Sequence, residues 1–308
     1  MAGVRAPWFG VLLALNVACG SDPVRNPPAD GSSGSGSGGT SGSGGTSGSA
    51  GAAVTCEDGP NYFDEALEKE DIGTVSARLL DGDEPVPGVH VTLCGVDVCS
   101  RPYESSSDGE VAITFGTAVT KAAFKYGNGL AHVELAIPVS GATDGVDLGD
   151  LPVWHLPEVG SPIAPGRRSE SNGVAIELAA NATTDVDELL PPYDSPETSA
   201  FRAVAIPADE LPAGVEQGQG LELVFGLAPI GASLCPAAVL ELPNTLGWAP
   251  GTEVEFLLEG FGVLELQFWA PYAEWAVFAT GEVDASGEHL VTTEGGLPLI
   301  SNVGVRRR

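Results

Sequence analysis

Cysteine is the residue type in this chain whose spacing points most directly to chemistry. Four cysteines lie beyond the N-terminal apolar segment and permit three disulfide connectivities: Cys56, Cys94, Cys99 and Cys235. Cys94 and Cys99 flank a four-residue loop at the end of an alternating apolar run, so we expect a disulfide between them. Cys56 and Cys235 then form a second pair, either as a disulfide or as free thiols. Zinc binding is disfavoured because neither a CxxC pair nor paired histidines accompany these residues.

Catalytic side chains are not grouped in the sequence. The four histidines are scattered singly, at His90, His132, His155 and His289. Neither an HExxH motif nor a GxSxG motif occurs, and Ser233 lies in GASLC, which lacks the closing glycine of a serine elbow. A carboxylate pair for glycoside hydrolysis would be paired in space, so that alternative stays open. We expect no enzymatic activity and no cofactor.

The acidity of the chain restricts its partners. There are 42 acidic against 13 basic residues, and neither Lys nor Arg occurs between Arg202 and Arg306. A surface of this charge repels phosphate groups, so we expect no nucleic-acid partner and no docking of the domain surface on anionic headgroups. Solubility of an exported protein explains the acidity, and binding of divalent cations is the alternative.

Asp144, Asp147 and Asp150 offer this alternative three carboxylates within seven residues. The loop glycine and terminal glutamate of a calcium-binding hand do not accompany them. On a regular strand, Asp144 and Asp150 would share one face and Asp147 would point away. We therefore interpret the segment as the last strand of a domain and predict no metal ligands.

The N-terminal segment is apolar and ends at a cysteine. Residues 8–15 read WFGVLLAL and follow Arg5. This stretch is well short of the roughly 20 residues that span a bilayer as a helix, and it matches the apolar region of a secretory signal. We predict that residues 1–18 are a signal peptide.

The end of that segment resembles a bacterial lipoprotein signal, in which a small residue precedes a lipid-modified cysteine. Ala18 and Cys19 fit the pattern, whereas Asn16 stands where leucine is usual. The resemblance implies acyl chains such as palmitate on Cys19, and thus a membrane partner. Because Gly20 and Ser21 follow and no aspartate does, it implies the outer membrane of a bacterial cell envelope. Ordinary secretion, with cleavage near Ala18, is the alternative.

A low-complexity tract follows the cysteine. The hexamer GGTSGS occurs in tandem at 38–43 and 44–49 within a glycine- and serine-rich run. A run from Gly31 to Ala52 behaves as a flexible coil with an r.m.s. span of about 25 Å. We predict that residues 19–55 are a disordered tether.

Beyond the tether, apolar residues alternate with polar ones in short runs separated by Gly, Pro, Asp and Asn. Such runs include 89–94, 111–115, 174–178 and 221–227. This spacing is typical of a sandwich or barrel. Only Tyr62–Lys69 looks helical. We predict an all-β chain with two β-sandwich domains, at 56–158 and 159–308.

Part of the first domain can be compared with a known family. GTVSARL from Gly73, DEPVPGVHVTL from Asp83, SDGEV from Ser107 and VDLGDL from Val146 together resemble the carboxypeptidase regulatory-like domain. The resemblance implies a small transthyretin-like β-sandwich with a structural or binding role. Pro87-Gly88 predicts a turn into a strand, and Asp108-Gly109 predicts a hairpin.

The second domain is similar, more faintly, to the sandwich units of large bacterial surface proteins. Its signals are the GVAIEL run from Gly173, a late hairpin through Asp284–Gly287 and a concentration of aromatic residues. We interpret the aromatics as core, with an exposed platform for sugars as the alternative. Together these features predict a structural, adhesive or binding protein with a protein or polysaccharide partner. A lipoprotein that binds a small ligand or a cation is the alternative.

Overall fold

The computed structural model describes residues 59–60, 62, 68–186, 193–261 and 269–308. The predicted signal peptide and tether, with Cys19 and Cys56, lie outside the described residues. Within them nearly all of the regular secondary structure is β-strand, which confirms the all-β prediction. The helical elements described are a 3-10 turn (Ala208–Glu210) and α1 (Ala213–Glu216). In the part of the chain that the structure describes, none of the helical elements could span a bilayer.

The first block contains ten strands. These are β1 (Lys69–Glu70), β2 (Val75–Asp81), β3 (Glu84–Pro85), β4 (His90–Cys94), β5 (Tyr103–Glu104), β6 (Glu110–Ile113), β7 (Val119–Thr120), β8 (Ala123–Tyr126), β9 (Leu135–Pro138) and β10 (Val146–Pro152). One sheet has the order β10-β2-β3, with β6 also paired to β2, and a second has the order β5-β4-β8-β9. Strands β1 and β7 form a small separate ribbon. β10 runs parallel to β2, and the other pairs are antiparallel.

The core of this block is formed by apolar side chains that alternate with exposed polar ones along the strands. In β4, Val91 and Leu93 are buried whereas His90 is exposed, as the sequence pattern predicts. Buried residues from both four-stranded sheets, including Val75, Ile113 and Phe124, belong to one apolar cluster. Burial of apolar surface on this scale is the main driving force for packing the two sheets together.

The second block contains eleven strands. These are β11 (Arg168–Ser171), β12 (Val174–Glu177), β13 (Thr183–Thr184), β14 (Arg202–Ile206), β15 (Leu223–Ala228), β16 (Ser233–Pro243), β17 (Glu253–Glu259), β18 (Trp275–Val283), β19 (His289–Glu294), β20 (Leu297–Leu299) and β21 (Val303–Arg307). They form one sheet with the order β11-β12-β16-β19-β18-β17-β21-β15-β14, and β13 and β20 pair with β16. A second apolar cluster, which includes Ile176, Phe225, Leu240 and Phe256, fills its interior.

The two ends of this sheet approach each other and nearly close a barrel. Ala203 of β14 donates its N–H to Ser171 Oγ at 3.0 Å, and Asn172 Nδ2 donates to the carbonyl of Ala203 at 2.9 Å. We call this contact the seam. Side chains, rather than a ladder of backbone hydrogen bonds, therefore join β11 to β14.

The predicted turns have different outcomes. Asp284–Gly287 connects the paired strands β18 and β19, with Asp284 N–H donating to the His289 carbonyl at 2.8 Å, which confirms the late hairpin. Asp108-Gly109 does form a tight turn, in which Gly109 has φ +74°. However, β5 before it pairs with β4 and β6 after it pairs with β2. The turn therefore carries the chain between sheets, and the hairpin prediction was wrong.

The helix predicted at Tyr62–Lys69 is not supported at its described residues. Tyr62 and Glu68 are not helical, and Lys69 belongs to β1; residues 63–67 lie outside the described residues. The sequence pattern did not indicate the helical turns that precede β15.

The two blocks share a core within the described chain. The apolar cluster of the first block also contains Leu211, Val215, Leu257 and Trp275 from the second. Trp275 Nε1 donates to the Val215 carbonyl at 2.7 Å, which satisfies its buried N–H group. Residues on the outer face of the near-barrel thus pack against the first block.

Candidate functional site

The disulfide predicted within the first block is present. Cys94 and Cys99 are bonded with an S–S distance of 2.05 Å. The loop between them is closed by Gly95 N–H, which donates to the Val98 carbonyl at 2.7 Å. Cys235 is also disulfide-bonded, and Cys56, its predicted partner, lies outside the described residues.

The most polar buried region of the described chain lies where β9 meets the near-barrel. β9 is the last strand of its sheet, so one side of its backbone has no neighbouring strand. Ala136 N–H donates to Glu259 Oε1 at 3.2 Å, and Asn302 Nδ2 donates to the Glu134 carbonyl at 2.7 Å. Asn302 Nδ2 also donates to Glu259 Oε2 at 2.7 Å. We call Glu259 and Asn302 the edge cap, because their side chains take the place of a neighbouring strand.

A buried lysine lies beside the edge cap. Lys125 Nζ donates to the Phe261 carbonyl at 2.6 Å and lies 3.9 Å from Glu134 Oε1. Its ammonium also lies over the rings of Phe261 and Tyr272, at 5.3 and 5.7 Å from their centroids. Tyr272 Oη in turn donates to the Cys94 carbonyl at 3.1 Å. The cluster therefore connects Cys94 and Lys125 of the first block to Phe261 and Tyr272, which lie between β17 and β18.

Burial shifts the ionisation of this cluster. Desolvation, reinforced by the nearby charge of Glu134, raises the pKa of Glu259 to about 8, although hydrogen bonds from Asn302 and Ala136 oppose the shift. Desolvation also raises the pKa of Glu134 and lowers the pKa of Lys125. The cluster therefore favours neutral side chains, as a low-dielectric environment requires.

The polar groups of this region are engaged in structural hydrogen bonds. Both carboxyl oxygens of Glu259 accept hydrogen bonds, and Ser301 Oγ donates to its backbone carbonyl at 2.6 Å. Asn302 Oδ1 accepts from Leu227 N–H at 3.2 Å. Three of these hydrogen bonds lie within the second block and fix Glu259 and Asn302 in place, and the one from Ala136 joins the two blocks.

The carboxylates at 144–150 are arranged differently from the sequence prediction. The register of β10 against β2 shifts between Asp147 and Asp150, where Gly149 has φ +71°. As a result Asp147 and Asp150 line the same groove, of about 630 Å³, together with Arg78 and Glu110. The expectation that Asp147 points away from Asp150 was wrong, because the bulge changes the alternation.

This groove does not supply a set of metal ligands. Asp147 Oδ1 accepts hydrogen bonds from Ser76 Oγ at 3.2 Å and from Gly149 N–H at 3.1 Å. Nowhere in the described ranges do three or more His, Cys, Asp or Glu side chains form a group that could hold a metal ion.

Two of the four histidines come together, which the sequence did not indicate. The ring centroids of His132 and His155 lie 4.8 Å apart, across an isolated β-bridge. Desolvation and the neighbouring His155 lower the pKa of His132.

The other two histidines lie beside carboxylates. His90 lies 3.5 Å from Glu104, and His289 lies 3.5 Å from both Glu241 and Asp284. Ser233, whose motif is incomplete, donates its hydroxyl to Asp185 at 2.8 Å.

Most aromatic residues of the second block lie in the core, as the preferred interpretation predicts. The buried ones are Tyr193, Phe201, Phe225, Phe256, Phe261, Tyr272 and Trp275. Trp248, Trp269 and Phe278 are partly buried against the interior of the near-barrel. Phe268 lies outside the described residues.

A second groove lies beside the seam. Its volume is about 860 Å³, and it is bounded by β14, β15, the 3-10 turn and the loop after β16. Its apolar lining includes Ile206, Leu211, Leu221 and Leu246. Sequence reasoning missed this groove, because its walls come from segments that lie together only in the fold.

Comparisons with known proteins leave the family of this chain open. No protein-family model, no curated protein and no solved structure matches it. The lipoprotein signal and the carboxypeptidase regulatory-like pattern therefore rest on the residues quoted for them and stay predictions.

Proposed function

We propose that the protein is a non-enzymatic lipoprotein of the bacterial cell envelope that presents a rigid β-structured body on a flexible tether. The observation that carries this proposal is the order of three sequence features: the apolar segment 8–15, Cys19 at its end, and the glycine- and serine-rich tract that follows. Acyl chains contribute about 0.8 kcal/mol for each buried methylene, so several chains on one cysteine anchor a protein stably.

The architecture of the described residues supports a presenting role. The two blocks share an apolar core and are joined by the edge cap, so they would move together as one body. In the region of highest buried charge, the polar atoms are engaged in holding β9. A body of this kind suits structural, adhesive or binding roles toward a protein or polysaccharide.

The proposal is tested by the intact mass of the protein purified from its native membrane, measured with and without reductant. We expect a chain that begins at acylated Cys19 and gains two hydrogens for each disulfide on reduction. Cys19→Ala should release the protein from the membrane fraction, whereas the neighbouring Ser21→Ala should not. A mass that includes Met1, or that contains no lipid, would overturn the anchor.

A second candidate function is the binding of a small ligand by a lipoprotein of the same location. The groove of about 860 Å³ beside the seam favours it, because ligand sites are commonly apolar clefts of this size. A screen of small molecules for saturable increases in melting temperature distinguishes this candidate from a protein-binding role.

A further inference from the structure

The groove beside the seam contains a free strand edge. Ala203 directs both backbone groups away from β15, toward Ser171 and Asn172. Residues two apart in a strand direct their backbone groups to the same side. Ala205 therefore directs its N–H and carbonyl outward as well, and it is exposed and lines the groove.

The hydrogen bonds on the other side of β15 support this outward direction of the Ala205 backbone groups. Leu227, which pairs with Ala203, donates its N–H to Asn302 on the side of β21. Phe225, which pairs with Ala205, lies in register with Val303 of β21. The backbone of β15 at these positions is therefore engaged with β21. On its outward side, away from β15, Ala205 has no neighbouring strand among the described residues.

The walls of the groove are apolar and its rim is acidic. Leu246 is 51% exposed at the rim, an unusual position for a large apolar side chain. Asp209, Glu216 and Glu222 also line the groove. Glu222 is paired with Arg307, at 2.7 Å, whereas Asp209 has no ion-pair partner in the described part of the chain.

We propose that this groove binds an extended peptide segment of a partner protein, in which apolar side chains are flanked by Lys or Arg. The segment would add to the edge of β14 through the N–H and carbonyl of Ala205 and place an apolar side chain against Leu246. Its cations would face Asp209 and the acidic rim. Strand addition of this kind combines backbone hydrogen bonds with side-chain pockets.

The geometry limits the length of the added strand. Pro207 follows β14 directly and cannot donate a backbone hydrogen bond. At the other end, the N–H and the carbonyl of Ala203 are already hydrogen-bonded to the side chains of Ser171 and Asn172. A bound segment therefore pairs with the backbone around Ala205 alone, and side-chain contacts and charge supply the rest of its affinity.

The inference rests on the proposed partner-binding role and does not depend on the lipid anchor. The test uses the full chain and a fluorescein-labelled, capped peptide, Lys-Leu-Val-Leu-Lys, with Glu-Leu-Val-Leu-Glu as the matched probe. Fluorescence anisotropy should show saturable binding of the lysine peptide and binding about tenfold weaker, or weaker still, for the glutamate peptide.

Three variants locate the binding. Leu246→Arg, Asp209→Lys and Ala205→Pro should each weaken binding of the lysine peptide about tenfold or more, by adding like charge, reversing the rim charge or removing the outward N–H. Val159→Arg is the control, since Val159 is 84% exposed and does not line the groove. Circular dichroism establishes that each variant is folded.

The inference is overturned if the lysine peptide does not bind, if the glutamate peptide binds as tightly, or if binding is equal in Leu246→Arg and Val159→Arg. It is also overturned if sedimentation shows a dimer that Leu246→Arg abolishes, because the groove would then serve a second copy of this chain. The intact mass of the membrane-purified protein tests the anchor separately, so the failure of either proposal can be recognised.

Discussion

Asn302 Nδ2 donates to Glu259 Oε2 at 2.7 Å, and between them these two side chains cover the open edge of β9. This hydrogen bond holds both partners in place. It fixes the carboxyl group of Glu259, and it fixes the amide of Asn302, which also donates to the Glu134 carbonyl. Edge strands require such protection, because unpaired backbone groups recruit other strands.

Replacing Asn302 with alanine should therefore destabilise the protein. The change leaves the Leu227 N–H, the Glu134 carbonyl and one Glu259 oxygen without partners, and each unsatisfied buried group costs about 1–3 kcal/mol. Urea unfolding measures the loss. Asn172→Ala is the control, because it removes only the hydrogen bond from Asn172 to the Ala203 carbonyl and, at a φ of +50°, adds about 1–2 kcal/mol of backbone strain. A smaller loss for Asn302→Ala than for Asn172→Ala would contradict the importance of the edge cap.

The raised pKa of Glu259, about 8, predicts how stability changes with pH. Between the ordinary carboxyl value of 4.5 and about 8, the folded state holds a proton that the unfolded state has released. The contribution of Glu259 to the free energy of unfolding should therefore be fully present at pH 4.5 and below, and should fall as the pH rises toward 8. Unfolding of the wild type and Glu259→Gln in urea, from pH 5 to 9, measures this. The difference between the two proteins should change across that window, and a constant difference would show that Glu259 does not titrate there.

The disulfide between Cys94 and Cys99 should contribute modestly to stability. It closes a loop of only a few residues, for which the chain-entropy estimate is about 2 kcal/mol. We expect the double variant Cys94→Ser, Cys99→Ser to fold with a lower melting temperature in differential scanning calorimetry. Complete unfolding of the double variant at room temperature would mean that the pair does more than close its own loop.

Gly129 should tolerate no side chain. A Cβ there would lie 1.6 Å from Tyr193 Oη, and the residue has φ +61°. Gly82 has nearly the same φ, +60°, but open space around it. Gly82→Ala thus measures the backbone strain alone, about 1 kcal/mol, and Gly129→Ala should cost at least about 1–3 kcal/mol more because of the overlap. Equal losses in the two variants, measured by urea unfolding, would show that Tyr193 moves aside freely.

Local patterns predicted several strands correctly, because burial on one face leaves a period of two in the sequence. β4, β6 and β12 coincide with alternating runs. β15 differs, because all six of its residues are buried. The alternation of larger and smaller side chains along β15 therefore does not separate a buried face from an exposed one.

The edge cap could not be predicted, since it joins segments more than a hundred residues apart. One local signal was available in β17, where Val254, Phe256 and Leu258 face the interior of the near-barrel. Leu257 lies on the outer face and is nevertheless buried. An apolar residue on an outward face indicates that something covers that face, and Glu259 follows two positions later. The bulge in β10 had a comparable signal in Gly149, whose positive φ changes the direction of the acidic side chains.

The parallel pairing of β2 with β10 has a mechanical consequence. The chain enters the first block just before β2 and leaves it for the second block just after β10. A pulling force applied between residue 68 and residue 159 therefore loads the N-terminal end of one strand and the C-terminal end of its parallel neighbour. Five residue pairs, from Val146–Val75 to Pro152–Leu80, then bear the load in shear and must fail together rather than peel apart one by one.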